Sequence, residues 1–197
     1  MWATTFRCRF GNSYGNNMSR DIWVISDTHF GHSNILTFRD GGSDGPLIRG
    51  ARFSSVEEMN ETMIENWNKT VKPGDKVYHL GDVMMMPKEN FILLWKRLNG
   101  QKRLILGNHD DAKFFAKHEL VSKIDVWRMF PEHGLLLTHV PVHQSTLYEG
   151  RFKGKEAFNV HGHIHQNPAP SPQHICVCVE QIDYTPIHIE EVKTLLP

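Results

Sequence analysis

Leu104-Ile105-Leu106-Gly107-Asn108-His109-Asp110 places three apolar residues directly before a glycine, an amide, an imidazole and a carboxylate. A short apolar run reads as a buried strand. A strand that stops in such side chains presents them at one edge of a sheet. The layout recurs along the chain: Ile22-Trp23-Val24-Ile25 runs toward Asp27-Thr28-His29, Val77-Tyr78-His79-Leu80 into Gly81-Asp82, and Leu135-Leu136-Leu137 into Thr138-His139. Phe158-Asn159-Val160-His161 is expected to lead into Gly162-His163-Ile164-His165, with Ile175 to Val179 returning beside it. In open α/β sheets the carboxyl ends of strands converge on one edge, where sites form. The polar clusters are therefore expected to make a single site.

Helical patterns separate these strands. Ser55-Val56-Glu57-Glu58 has the form of a capping box, and Val56, Met59, Met63, Ile64 and Trp67 follow at helical spacing as core residues. A second helix is expected from about Lys88 to Asn99, burying Phe91, Leu94, Trp95 and Leu98, with Gly100 as its C′ residue. A third begins near Asp111. Strands alternating with helices predict an α/β fold in which helices cover a mixed or parallel sheet. Arg39 to Gly50 breaks the rhythm with Asp-Gly-Gly-Ser-Asp-Gly-Pro and reads as a mobile flap near the first motif, while Pro168 to Pro172 reads as a second loop bordering the site.

A chain of 197 residues suits one α/β domain, expected over 21–197, after a flexible N-terminal extension over residues 1–20. Lysine plus arginine equal aspartate plus glutamate at 22 each, so no net field draws the chain to nucleic acid or an anionic membrane. No apolar run approaches the roughly 20 residues needed to cross a bilayer. Cys8, Cys176 and Cys178 form neither a disulfide framework nor a zinc-ribbon spacing, which suits a reducing, cytoplasmic setting. Cys176 and Cys178 alternate with valines and are expected to be buried and structural. The 13 histidines are the compositional anomaly, since imidazole is both the commonest metal ligand and a general acid or base.

Asp27, His29, Asp82, Asn108, His139, His163 and His165 together offer oxygen and nitrogen donors without a thiolate. That set exceeds what one tetrahedral ion takes and suits two divalent ions, with Mn2+ first and Fe, Ni or Zn as alternatives. A carboxylate such as Asp82 can bridge two cations, whereas an imidazole cannot. The i, i+2 spacing of His163 and His165 lets each reach a different ion. Two adjacent ions can activate a water and stabilise the attacking and leaving oxygens of a phosphoryl displacement. Taken singly, the motifs have blander readings: Asp27-Thr28-His29 as a surface turn, and Asn108 or Asp110 as a helix N-cap.

The ordered series Asp-x-His, Gly-Asp, Gly-Asn-His-Asp, His and Gly-His-x-His, running from Asp27 to His165, resembles the calcineurin-like metallophosphoesterase superfamily. The resemblance implies a four-layer αββα sandwich of two mixed β-sheets flanked by helices. It implies that Asp27, His29, Asp82 and His165 hold one ion and that Asp82, Asn108, His139 and His163 hold the other, with Asp82 as the bridge. It further implies that His109 is catalytic, contacting the phosphoryl oxygen or protonating the leaving group. The Val83-Met84-Met85-Met86 continuation after Asp82 departs from the protein serine/threonine phosphatase branch, whose Gly-Asp motif runs into Asp-Arg-Gly, and points away from phosphoprotein substrates. The spans His29 to Ile35 and Tyr78 to Asp82 look instead like small single-domain bacterial and phage members.

His32, Arg52 and His143 are weaker candidates for substrate contact, each with an exposed-loop alternative. His79 and His161 fall inside strands and are expected to be hydrogen-bonded and structural. Met84 to Met86 reads either as a nucleobase wall or as ordinary loop packing. The expected activity is hydrolysis of a small or nucleotide-like phosphodiester. A phosphomonoesterase, a nuclease and a non-catalytic scaffold of the same fold are the alternatives. The partner is expected to be a small phosphoester or nucleotide rather than nucleic acid or membrane.

Overall fold

The computed structural model describes residues 20–196, so the extension read over residues 1–20 lies outside the described residues except for Arg20. The strands are β1 (Ile22–Ile25), β2 (Lys76–His79), β3 (Gln101–Ile105), β4 (Ile124–Asp125), β5 (Trp127–Phe130), β6 (Leu135–Thr138), β7 (Phe158–His161), β8 (His174–Cys176) and β9 (Ile187–His188). The α-helices are α1 (Val56–Thr70), α2 (Lys88–Trp95) and α3 (Ala112–Lys117). One sheet has the order β4-β3-β2-β1-β9, parallel except for β9, and the other has the order β5-β6-β7-β8, parallel except for β5. The architecture is two mixed sheets with flanking helices, as the resemblance implied.

Side-chain alternation along β2 assigns the layers. Tyr78 meets Phe130 of the second sheet edge-on, with ring centroids 5.3 Å apart. Its neighbour His79 points the other way, toward Trp67 of α1 and Trp95 of α2, at centroid distances of 6.5 and 6.2 Å. Both tryptophans are fully buried, and truncating either to alanine should cost about 3–5 kcal/mol. On the far side of the second sheet the covering layer is made of 3-10 turns rather than α-helix. Leu147, directly after the segment Gln144–Thr146, and Phe152, at the end of the segment Glu149–Phe152, pack there with Leu136.

Local sequence explains most element ends. Ser55 caps α1 by accepting from the Glu58 N–H at 3.1 Å, but the Glu58 carboxylate turns to the N–H and hydroxyl of Ser54, so the reciprocal half of the box slips back by one residue. α2 stops at Trp95 instead of Asn99. Tertiary partners capture its last turn: Lys102 Nζ donates to Leu98 O at 2.6 Å, and the Asn99 carbonyl accepts from Trp67 Nε1 at 2.9 Å. The strand expected over Ile175 to Val179 divides in two. Up to Cys176 it pairs with β7, and then it crosses to the end of β1, where Ser26 N–H donates to Val177 O and Val179 N–H to Ser26 O. This crossing joins the two sheets at their carboxyl ends.

Candidate metal centre

The loops after β1, β2, β3, β6 and β7 meet beside that crossing. Close approach of the backbones requires glycine: Gly81 has φ +99°, and a Cβ there would lie 2.6 Å from Gly107 Cα. Asp27, His29, Asp82, His163 and His165 also occupy the left-handed region, with φ of 58°, 46°, 55°, 71° and 53°. Each such residue costs about 1–3 kcal/mol unless its surroundings enforce it. Five of the seven candidate ligands thus carry backbone strain, which concentrates it at this edge of the fold.

The candidate ligands form two groups, Asp27 with His29 and His165, and Asp82 with His139 and His163. His29 Nε2 and His165 Nε2 lie 3.8 and 3.7 Å from Asp27 Oδ1. Asp82 Oδ2 lies between the groups, 3.8 Å from His29 Nε2 and 3.4 Å from His139 Nε2. The Asn108 side-chain oxygen joins the second group, 3.0 Å from both His139 Nε2 and His163 Nδ1.

The hydrogen bonding fits cations in both groups. Asp27 Oδ2 accepts from the Ser26 hydroxyl (2.5 Å), the His163 N–H (2.9 Å) and the Cys178 thiol (3.2 Å), whereas Oδ1 is buried with no partner. Both ring nitrogens of His29 are equally orphaned. Buried polar atoms almost always find partners, so an orphaned carboxylate oxygen facing orphaned imidazole nitrogens is the arrangement a metal ion satisfies. In the second group, His139 Nδ1 donates to Leu80 O at 2.7 Å. Its Nε2 lone pair is then turned toward Asn108 Oδ1, itself an acceptor. Two converging lone pairs call for a cation between them.

Electrostatics agree. Burial works to raise Asp27, but His29, the charge of His165 and the Ser26 hydroxyl hold its carboxyl well below the usual range. Asp82 is likewise lowered: burial opposes ionisation, and His139 and the His109 N–H outweigh it. Burial also disfavours charge on His139 and His165, yet both sit above the ordinary imidazole value, the first because of Asp82 and Asp27 and the second because of Glu180 and Asp27.

A family model described as calcineurin-like phosphoesterase matches residues 20–190. The chain belongs to the calcineurin-like phosphoesterase family. It is 34% identical over 186 residues to an uncharacterized protein of Methanocaldococcus jannaschii, covering 90% of this chain and 92% of that one. It is 31% identical over 185 residues to the Gene 66 protein of Mycobacterium phage L5, covering 79% and 82%. Among solved structures, the protein of unknown function AQ665 from Aquifex aeolicus aligns with a TM-score of 0.67 at 30% identity, over 90% of this chain and all of that one. The family match bears out the resemblance carried by the motifs from Asp27 to His165.

Within this calcineurin-like phosphoesterase, the weaker candidates separate. His32 stays near the centre, its ring 5.7 Å from that of His29, and burial and neighbouring His29 lower its pKa. Arg52 is not brought to the cluster; it pairs with Asp183 and stacks over Tyr184 at 4.7 Å. His143 is exposed, and its ring accepts from the Ser145 N–H at the start of a 3-10 turn. His79 is structural, taking a hydrogen bond from Gly81 N–H and meeting the Thr28 hydroxyl at 2.9 Å, and burial pushes it down to about 3. His161 is also buried and pushed down to about 4. The methionine run packs: Met84 bridges to Phe30, Met84 and Met86 rest on the core, and Met85 alone is exposed.

Three contributors escaped the sequence reading. Asp110 is no helix cap, that task falling to Asp111; its carboxylate accepts from the N–H groups of Asp82, Val83 and Gly107 at 2.9 to 3.0 Å and so ties two motif loops together. Glu180 Oε1 accepts from His165 Nδ1 at 2.8 Å and from Arg49 Nε at 2.7 Å. Arg49 is fully buried and also donates to the carbonyls of Asp27 (2.6 Å) and Thr28 (2.9 Å). The insert read as a mobile flap is therefore anchored at its far end inside the site.

Proposed function

We propose that this protein hydrolyses a small or nucleotide-like phosphodiester with the help of two divalent ions, Mn2+ being the first choice. The observation that carries the reading is the position of Asp82 Oδ2 between two groups of convergent donors, the first of which leaves Asp27 Oδ1 and both His29 ring nitrogens without a partner. The all-oxygen-and-nitrogen donor set suits Mn2+, Fe, Ni or Zn. When bound, such ions supply Lewis acidity to the phosphoryl oxygens and a lowered pKa to water.

The chain's own residues supply position and protons. The Asp82 carboxylate uses Oδ1 to hold the His109 N–H at 3.0 Å, which fixes the backbone of the proposed catalytic residue. The His109 side chain is 46% exposed with Nε2 4.0 Å from Asp82 Oδ2, so its imidazole faces the reacting position while remaining open to substrate. From there it would give a proton to the leaving oxygen, a task suited to imidazole near neutral pH.

Diester preference rests on charge. Arg49 is committed to Glu180 and two carbonyls, and Arg52 to Asp183, so neither guanidinium of this region is free to clamp a dianionic monoester. A monoanionic diester places less demand on such a clamp. Turnover of bis-nitrophenyl phosphate by Mn2+-loaded protein should exceed that of mononitrophenyl phosphate. The opposite preference would overturn the diesterase assignment.

A further inference from the structure

Arg49 and Glu180 do more than fill space beneath Asp27, His29 and His165. Arg49 joins three elements through one guanidinium: the carbonyls of Asp27 and Thr28 on the first motif loop, and Glu180 just past the sheet crossing. The two carbonyls belong to the turn in which Asp27 and His29 are held at φ of 58° and 46°. A charged donor on those carbonyls holds the strained turn that aims Asp27 Oδ1 and His29 Nε2 at each other. Glu180 in turn accepts from His165 Nδ1, which places the proton on that nitrogen and leaves Nε2 as a lone pair toward Asp27 Oδ1, 3.7 Å away.

A fully buried arginine is costly unless its donors are satisfied. Replacing such an ion pair with apolar side chains is often neutral or stabilising, so stability alone gives little reason to keep it here. The orientation of the three candidate ligands gives a specific one.

We infer that Arg49 and Glu180 are positioning residues selective for one ion: they orient Asp27, His29 and His165 and leave Asp82, Asn108, His139 and His163 untouched. The inference rests on the dinuclear reading above. Hydrogen-bonded partners of metal ligands contribute 10- to 100-fold in affinity as a rule, and here that contribution falls on one site of two. The second group has its own support, the Leu80 carbonyl behind His139.

The test is titration of chelator-stripped protein with Mn2+, followed by calorimetry and by electron paramagnetic resonance. Wild type should take up two ions per chain and show an exchange-coupled signal. Glu180→Gln, close in shape, should weaken one ion by about 10- to 100-fold, leave the other constant unchanged, and give the six-line spectrum of an isolated Mn2+. Arg49→Met should do the same. If the unpaired Glu180 prevents that variant from folding, Arg49→Met/Glu180→Gln removes both charges and carries the test. Equal weakening of both ions, or no change in either, overturns the inference while the wild-type stoichiometry of two leaves the functional reading standing. Wild type that binds fewer than two ions overturns both.

Discussion

Around Asp27, His29 and His165 the polar support is buried and charged, with Glu180 behind one ring, Arg49 on the backbone, and Ser26 and Cys178 on the carboxylate. Around Asp82, Asn108, His139 and His163 the charged support is the Asp110 carboxylate on the backbone of the motif loops, and the group is half open. The support for His139 is a backbone carbonyl, and Asn108 and His163 face solvent. Two ligands of each group are buried, and the groups differ in the rest: His165 is part-buried, whereas Asn108 and His163 are exposed. Under the proposed two-ion reading the contrast would assign different duties: a deep ion in the first group, and a shallow one next to the exposed His109, where substrate would arrive.

The severest way to break this comparison is to remove what the groups share. Asp82→Asn should abolish binding of both ions together with turnover, measured by metal analysis and bis-nitrophenyl phosphate hydrolysis; one ion retained at full affinity would show that the groups do not depend on a common carboxylate. Next in size, His109→Ala should lower kcat by about 10²- to 10⁴-fold while both ions stay bound, and loss of metal from this variant would recast His109 as a ligand. A milder probe is time-resolved chelation: brief exposure to a chelator should take the shallow ion first and leave about one ion per chain, whereas simultaneous release would erase the distinction.

The smallest expected effect concerns acid. His79 and His161 are buried and neutral, with values pushed down to about 3 and about 4. An unfolded chain would protonate both near 6.5. The unfolded state then binds more protons between pH 6.5 and those values, so stability is complete above that window and is lost as pH falls through it. The slope is at most about 1.4 kcal/mol per pH unit for each histidine. The raised values of His139 and His165 act oppositely: their contribution in metal-free protein is present below pH 6.5 and lost above it, so it does not mask the acid-side loss. Thermal melts of metal-free protein should show a falling Tm from pH 6.5 to 4.5, and a flat profile would sink the assignment of these two histidines as buried neutral residues.

The candidate ligand groups were legible because a simple rule produces them: an apolar strand, a sharp turn, then a polar side chain. The same rule fits Val177-Cys178-Val179-Glu180, yet Glu180 was missed because its run carries no histidine or glycine to mark a turn. Arg49 was harder. It ends a stretch dominated by glycine and aspartate that reads as solvent-exposed, and its burial arises only from contact with the first motif loop and the sheet crossing. Arg52, three residues on, is the arginine the sequence offered for substrate contact, but it faces Asp183. Helix ends failed for a similar reason, since Lys102 and Trp67, distant in sequence from Asn99 or across a turn, take the carbonyls of the α2 terminus.

The crossing of Val177 to Val179 from β7 to Ser26 has a consequence for the order of events during synthesis. Asp27, His29, Asp82 and Asn108 all leave the ribosome before the second sheet begins, and His139, His163 and His165 follow within it. A nascent first half can therefore complete neither candidate group of donors. Under the proposed reading, the complete donor sets would exist only once the last strands are released and the two sheets are stitched together, so selection between ions would belong to the finished fold.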